Sequence, residues 1–311
     1  MNRTTVAAFA AVLISLAACS STGGFPPTGS PGPTPTPGGG PPTPTPFVEA
    51  IMHPTGANDL VLREEVSGGL VPPGFILSEL PVVSIYGDGR VITQGPQIEI
   101  YPGPALPNLR VQRVSEAGLQ RILAAAAEAG LMGDDVMYLY PVIADAPTTT
   151  FWVNAGGAKH RTSAYALGIG DDPSVVSPED AAARAKMQAF AEKLGDLAGW
   201  LGPDVVSADA PYTFEAIRIY SQEAEPTSPD QGLAPTVADW PLSTPLSSFG
   251  EPFRDGIEPS MRCGVVTGDD LATLRPALEA ANQLTFWRSE GRTYQLILRP
   301  LLPDESGCPP Q

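Results

Sequence analysis

The chain has few of the residues that build most metal, haem and nucleic-acid sites. It contains two histidines and three cysteines in 311 residues, which excludes most zinc and haem centres. Its 18 basic residues stand against 34 acidic ones, so the net charge of −16 argues against a basic surface for nucleic acid. Beyond the N-terminus no apolar run reaches the roughly 20 residues that cross a bilayer, which excludes a multi-span membrane protein.

The common catalytic motifs are missing as well. The chain has no Gly-x-Ser-x-Gly, no His-Glu-x-x-His and no glycine-rich phosphate loop. His160 lies between Lys159 and Arg161 near an expected turn, which suits a solvated histidine better than a general base. We therefore assign no catalytic, cofactor-binding or metal-binding residue, and we expect neither a cofactor nor a nucleic-acid partner.

The N-terminus has the form of an export signal. Arg3 is the only charged residue before an apolar run from Val6 to Ala18, and Cys19 follows directly after Leu-Ala-Ala. A basic start, a short apolar segment and small residues before the cleavage point predict a signal peptide over residues 1–18. At about 13 residues the apolar run is too short to span a bilayer.

The Leu-Ala-Ala-Cys sequence resembles the lipobox of bacterial lipoproteins. In that family the peptide is cut just before the cysteine, whose thiol carries diacylglycerol, so that Cys19 becomes the acylated first residue. The resemblance implies acyl chains such as palmitate, and anchoring to the extracytoplasmic face of the cell membrane. Two or three chains hold a protein far more firmly than one. An ordinary secretory peptide with a chance cysteine is the alternative.

Residues 19–46 comprise the cysteine that the resemblance implies is acylated, followed by a low-complexity linker. The stretch is rich in Pro, Thr and Gly and carries no charge, so it cannot build a core and is expected to be disordered and extended. As polyproline II its full reach is about 80 Å. We interpret it as a spacer; a proline-rich ligand for a partner protein and O-glycosylated threonines are the alternatives.

Cys263 and Cys308 are the cysteines that remain. An exported chain meets an oxidising compartment, and with Cys19 acylated the remaining number is even. We predict a disulfide between them that closes a loop of roughly 45 residues. A reactive cysteine would need a nearby histidine, and both histidines are distant in sequence.

The chain after residue 46 predicts an α+β fold of antiparallel sheets packed with helices. Runs rich in β-formers indicate strands over 60–66 and 97–101, and the run over 81–92 contains Gly-Asp-Gly and predicts a hairpin. Ser115 and Ser177 occupy N-cap positions of two amphipathic helices.

Two units of this kind are expected in the folded part. The first covers residues 47–205, and the second covers 206–311 and contains the disulfide. The second amphipathic helix closes the first unit and is predicted to continue through Leu197 and Leu201 to a stop at Gly202.

A weak internal repeat suggests that the two units are related. Both contain a strand, a capped helix, a Thr-Phe-Trp strand at 150–152 or 285–287, a turn and a further strand. Pro276 falls inside the second helix and counts against the match. Duplication of a β-α-β-β unit and chance similarity both remain open. Trp152 and Trp287 are either core residues or a pair of ligand-facing aromatics.

The mature region resembles uncharacterised secreted lipoproteins of actinobacteria. The resemblance rests on the stretches SIYGDGRVI and IYPGPALPN and on a closing RPLLPDE. It implies a shared secreted α+β domain and brings no activity and no catalytic residues.

Two functions of different class follow from these observations. The first is a membrane-anchored, non-enzymatic module that binds a small ligand or an envelope protein. The second is an extracytoplasmic hydrolase with an unrecognised site. An enzyme requires a cleft with convergent polar groups, whereas a binding module requires an exposed patch or groove. The region around Trp152, His160 and Trp287 is where we expect to distinguish them.

Overall fold

The computed structural model describes residues 50–169, 172–227, 232–253 and 261–309. The predicted signal peptide, Cys19 and the linker lie outside the described residues. Glu49–Gln311 form one compact unit. Among the described residues no helix has the length and hydropathy needed to cross a membrane.

The fold is α+β, which confirms the predicted class: two mostly antiparallel sheets pack with five helices among the described residues. The strands of the first sheet are β1 Leu60–Gly68, β2 Val83–Tyr86, β3 Arg90–Gln94, β4 Leu109–Arg113, β5 Val136–Tyr138, β6 Pro147–Ala155, β7 Ala158–Tyr165 and β8 Ala210–Pro211. The strands of the second sheet are β9 Ala216–Glu223, β10 Thr236–Asp239, β11 Glu251–Pro252, β12 Arg262–Thr267, β13 Thr285–Ser289 and β14 Arg292–Pro300. The helices are α1 Pro73–Ser78, α2 Glu116–Glu128, α3 Pro178–Gly195, α4 Leu197–Leu201 and α5 Gly268–Ala280.

The strand order is β5-β7-β6-β1-β2-β3-β4-β8 in the first sheet and β10-β13-β14-β9-β12-β11 in the second. Pairing is antiparallel except between β5 and β7 and between β10 and β13. β8, at residues 210–211, adds to the first sheet although it follows the boundary expected at residue 205.

Local sequence explains the turn and the helix starts that were predicted. The hairpin of β2 and β3 turns through Gly89, whose φ of +80° suits a residue without a Cβ. The Ser115 hydroxyl accepts from the Gly118 amide at the start of α2, and the Ser177 hydroxyl accepts from the Asp180 amide at the start of α3.

The long helix predicted after Ser177 is two helices, which corrects the prediction that it runs unbroken to Gly202. Asp196 leaves helical geometry at φ −139° and ψ 67°, and its carboxylate accepts from the Gly199 amide. It therefore ends α3 and caps α4. Apolar spacing alone does not detect such a break, because buried leucines continue across it: Leu194 precedes Asp196, and Leu197 and Leu201 follow it.

The strand predicted over residues 97–101 is not formed. Pro96, Pro102 and Pro104 flank this segment, and proline has no backbone N–H group to donate to a neighbouring strand. The segment is instead an irregular loop that leaves Ile98 and Ile100 exposed.

The main core of each sheet lies between the sheet and helices on one of its faces, while α1 packs through Leu77 on the other face of the second sheet, beside Tyr220 and Ile297. In the first, Leu62, Ile85 and Phe151 pack with α2 and α3. In the second, Ile217 and Ile219 of β9 pack with the buried leucines of α5.

The segments that suggested a repeat occupy different positions in the two sheets. Both contain a strand, a helix, the Thr-Phe-Trp strand and a further strand, although β5 lies between α2 and β6 in the first part, and α5 is helical through Pro276. However, the Thr-Phe-Trp strand β6 lies next to central β1, whereas the Thr-Phe-Trp strand β13 lies outside β14 and pairs in parallel with β10. The similarity is thus one of order along the chain and not of position in the sheet.

Candidate functional site: a groove beside Trp152

Trp152 lies on the face of the first sheet that points away from the helices. Its neighbours on β6, Phe151 and Val153, belong to the helix-side core, so strand alternation turns Trp152 to the opposite face. There 39 % of the residue is exposed. The register places Arg161 of β7 on one side of it and Arg63 of β1 on the other.

Two contacts hold the indole in place. The Trp152 Nε1–H group donates to Oε2 of Glu65 over 3.0 Å. The guanidinium carbon of Arg161 lies 5.1 Å from the ring centroid, within the range of a cation–π contact. A side chain that is already oriented loses little freedom when a ligand binds to it.

The C-terminal segment covers the neighbouring part of the same sheet face. The cross-strand row continues from Arg63 to Ser84, Ile92 and Val111 on the next three strands. Ile92 and Val111 pack against Leu302. The covered part of the face therefore ends at Arg63, and the open part begins at Trp152.

Arg63 and Asp304 form the boundary between these two parts. Nη2 of Arg63 lies 2.7 Å from Oδ1 of Asp304, which also accepts from the Tyr86 hydroxyl over 2.7 Å. Nε of Arg63 donates to the Ser84 hydroxyl. Burial works against the charge of Arg63, but the facing carboxylate of Asp304 holds the Arg63 pKa above its usual value. Burial and the same carboxylate raise the pKa of Tyr86.

Two further links hold the C-terminal segment in place. Arg299 donates to both carboxylate oxygens of Glu305, each over 2.7 Å. Burial opposes the charge of Glu305, yet Arg299 keeps the Glu305 pKa below its usual value. Cys263 and Cys308 lie at disulfide distance, with Cα atoms 6.1 Å apart.

The groove beside the indole has a volume of about 700 Å³. This lies within the usual size of small-molecule sites, about 300–1,000 Å³. Arg63, Glu65 and Asp304 form one side of the groove. The loop before β1, the first residue of β1 and the β6–β7 hairpin form the rest, with polar residues Asn58, Asp59, Asn154, Lys159 and His160 and apolar residues Pro54, Leu60 and Val153.

Glu64, a carboxyl group with a strongly raised pKa, does not lie in this groove. Burial raises the pKa of Glu64 to about 7. Its register partners Phe151 and Val83 belong to the helix-side core, so Glu64 lies on the other face of β1 from Arg63 and Glu65. It cannot act as an acid or base on a ligand beside Trp152.

Several groove residues already make positioning contacts within the protein, and the Asp59 carboxylate accepts from the Gly56 amide over 3.1 Å. Nδ1 of His160 lies 2.8 Å from the Gly133 carbonyl oxygen, Glu65 holds the indole, and Asp304 holds Arg63. Within the described parts of the chain, no three His, Cys, Asp or Glu side chains gather closely enough to hold a metal ion.

Trp287 is a core residue, so of the two alternatives for the Thr-Phe-Trp tryptophans the ligand-facing pair is ruled out. It is 1 % exposed and contacts the Trp240 ring edge-on, with centroids 6.0 Å apart, inside the core of the second sheet. Different residues of the two Thr-Phe-Trp strands face the helices. The phenylalanine, Phe151, does so in β6, and the tryptophan, Trp287, does so in β13.

Comparison of the chain with models of protein families, with curated proteins and with solved structures gave no match. The geometry of the groove therefore carries the functional argument.

The sequence indicated Trp152 as a possible ligand-facing residue and the surroundings of His160 as a region of interest, but it did not indicate Arg63, Glu65 and Asp304. The sequence does contain a signal for Arg63 and Glu65, because Arg-Glu-Glu at 63–65 interrupts an otherwise apolar strand. Charged residues in a central strand need partners. The sequence does not show that Arg63 finds its partner in the closing RPLLPDE stretch.

Proposed function

We propose that this chain is a membrane-anchored extracytoplasmic lipoprotein that acts as a non-enzymatic binding module, with the groove beside Trp152 as its ligand site. The lipobox-like Leu-Ala-Ala-Cys sequence supports the anchor through Cys19. The composition of residues 20–46, rich in Pro, Thr and Gly and without charge, is typical of a spacer between an anchor and a folded domain.

The orientation of Trp152 is the observation that carries the binding role. A tryptophan with 39 % exposure on an open sheet face is held by Glu65 and Arg161 instead of being packed away. Burying this ring against a ligand removes apolar surface from water at little cost in side-chain entropy. The surrounding polar side chains supply orientation and specificity.

The arrangement supports binding over hydrolysis. A hydrolase needs a nucleophile or an activated water next to a free base. Glu65 and Asp304 are the groove carboxylates with firm partners, and both are engaged in holding other protein side chains.

Membrane anchoring is tested with a single substitution. Cys19→Ala is expected to move the protein from the detergent phase to the aqueous phase, because no acyl chain is attached. Ser20→Ala is the matched control and is expected to remain in the detergent phase. A Cys19→Ala protein that still partitions with detergent contradicts the anchor.

Binding at the groove is tested by nuclear magnetic resonance on the full chain with ¹⁵N-labelled tryptophan, in a detergent without a sugar headgroup. The four indole signals are assigned with single Trp→Phe variants at residues 152, 200, 240 and 287. A panel of saccharides, amino acids and nucleosides is added, and at least one compound is expected to shift the Trp152 signal and not that of buried Trp287. If no compound shifts the Trp152 signal, the binding role of the groove is wrong.

A further inference from the structure

We propose that the ligand of the groove beside Trp152 is a neutral saccharide. This inference rests on the proposed binding function and adds the chemical class of the ligand.

The available surface of the indole favours a ligand with a flat apolar face. Arg161 approaches the indole from β7, whereas the groove residues Arg63 and Glu65 lie on β1, on the other side of Trp152, so Arg161 contacts the ring from the side away from them. The face of an aromatic ring is electron-rich. The C–H groups on one side of a pyranose ring carry a slight positive charge and form a flat patch that matches such a surface.

The surroundings of the indole favour a ligand with many hydroxyl groups. The Asp59 carboxylate accepts one bond from the Gly56 amide and the Asn154 amide donates one to the Leu60 carbonyl, which leaves each with further bonding capacity. The ammonium group of Lys159 donates hydrogen bonds, and the amide of Asn58 donates and accepts them. A hydroxyl group also donates and accepts. A ring with hydroxyls along its edges satisfies this mixture, whereas an aliphatic or aromatic hydrocarbon leaves these polar groups unpaired.

The charge of the groove favours a neutral ligand. The positive side chains at the groove are Arg63, Lys159 and Arg161, which stacks on the indole. The negative ones are Asp59, Glu65 and Asp304, so the charges are equal in number and opposite in sign. Arg63 is not available to an anion, because Asp304 occupies its guanidinium and only 9 % of its side chain is exposed. The acidic chain as a whole, with net charge −16, also repels anions.

The experiment uses the labelled full chain described above with tetramers of glucose, mannose and N-acetylglucosamine. At least one tetramer is expected to shift the Trp152 indole signal, and titration calorimetry then gives its affinity. Trp152→Ala is expected to weaken binding about tenfold or more, and Trp152→Phe less, because a smaller ring remains. Tyr101→Ala removes an exposed aromatic outside the groove and is expected to leave the affinity unchanged.

The outcomes separate the ligand class from the binding function. If amino acids or nucleosides shift the Trp152 signal and no saccharide does, the ligand class is wrong while the groove remains a binding site. If no compound shifts it, both proposals are wrong. If a saccharide binds equally well to Trp152→Ala and to Tyr101→Ala, the groove is not its site. An unchanged Trp287 signal in each variant shows that the variant is folded.

Discussion

Arg63 and Asp304 are 241 residues apart in the sequence, and their side chains form an ion pair of 2.7 Å. The pair joins β1, in the middle of the first sheet, to the segment that follows β14 at the end of the second. It is also a side of the groove beside Trp152. The C-terminal segment thus contributes both to the packing of the two sheets and to the shape of the candidate site.

Removing the carboxylate of this pair is expected to destabilise the protein strongly. The side chains of Arg63 and Asp304 are 9 % and 19 % exposed, so Asp304→Ala leaves a buried guanidinium without its closest anion. Loss of one partner of a buried pair costs about 3 kcal/mol. The free energy of unfolding in urea measures the effect.

Asp239→Ala is the matched control for this loss. It removes the carboxylate of the Arg288–Asp239 pair, whose distance is also 2.7 Å but whose side chains are 54 % and 74 % exposed. Exposed pairs contribute less than about 1 kcal/mol. Equal losses in the two variants would contradict the structural role of Asp304.

The link between Cys263 and Cys308 is expected to hold the same segment in place. A bond that closes a loop with a sequence separation of 45 adds at most about 4 kcal/mol to the free energy of unfolding. A double variant, Cys263→Ala with Cys308→Ala, tests this without leaving a free thiol. Its Trp152 indole signal is expected to move as well, because the loosened segment carries Asp304.

Mass analysis under non-reducing conditions provides the direct check of this bond. The exported protein is expected to be two hydrogens lighter than the chain with free thiols. Two free thiols at Cys263 and Cys308 would show that the pair does not form. In that case the Arg63–Asp304 and Arg299–Glu305 pairs hold the segment by themselves.

Features determined by a few neighbouring residues could be predicted from the sequence. The β2–β3 hairpin depends on Gly89, which adopts positive φ, and the starts of α2 and α3 depend on Ser115 and Ser177. The fold class follows from the alternation of such elements. The break at Asp196 was missed because apolar spacing continues across it.

Features determined by distant residues could not be predicted. Trp152 and Trp287 share the local sequence Thr-Phe-Trp, yet one is exposed and the other is buried. Strand register decides which side chain faces the core, and a shift of one residue reverses the choice. Likewise, nothing near Arg63 in the sequence indicates that Asp304 is its partner.

A pair of helix caps offers a test of local energetics. The Ser115 hydroxyl accepts from the Gly118 amide at the start of α2, whereas Thr267 at the start of α5 makes no side-chain cap bond. Ser115→Ala is therefore expected to lower the free energy of unfolding by about 1 kcal/mol, and Thr267→Ala by less. Thermal or urea unfolding measures both, and a larger loss in Thr267→Ala would contradict the cap assignment.

Glu64 is expected to make stability depend on pH. Burial raises its pKa in the folded protein to about 7 from an ordinary value of 4.5. Between these two pH values the folded state holds a proton that the unfolded state has lost, so the stability contributed by this group falls as the pH rises. Below pH 4.5 the group is neutral in both states, and above pH 7 the full penalty of the buried charge is present.

Glu64→Gln keeps the shape of the side chain and removes its charge. The variant is expected to unfold with nearly the same free energy as the unmodified protein at pH 4, and with about 3 kcal/mol more at pH 8. Glu99→Gln, at an exposed position, is the control and is expected to show no such pH-dependent gain. Urea unfolding of the three proteins at several pH values measures the difference. If Glu64→Gln raises the free energy of unfolding by the same amount at pH 4 and pH 8, folding does not raise the pKa of Glu64. The charged carboxylate is then not buried, and it reaches solvent at the edge of the helix-side core.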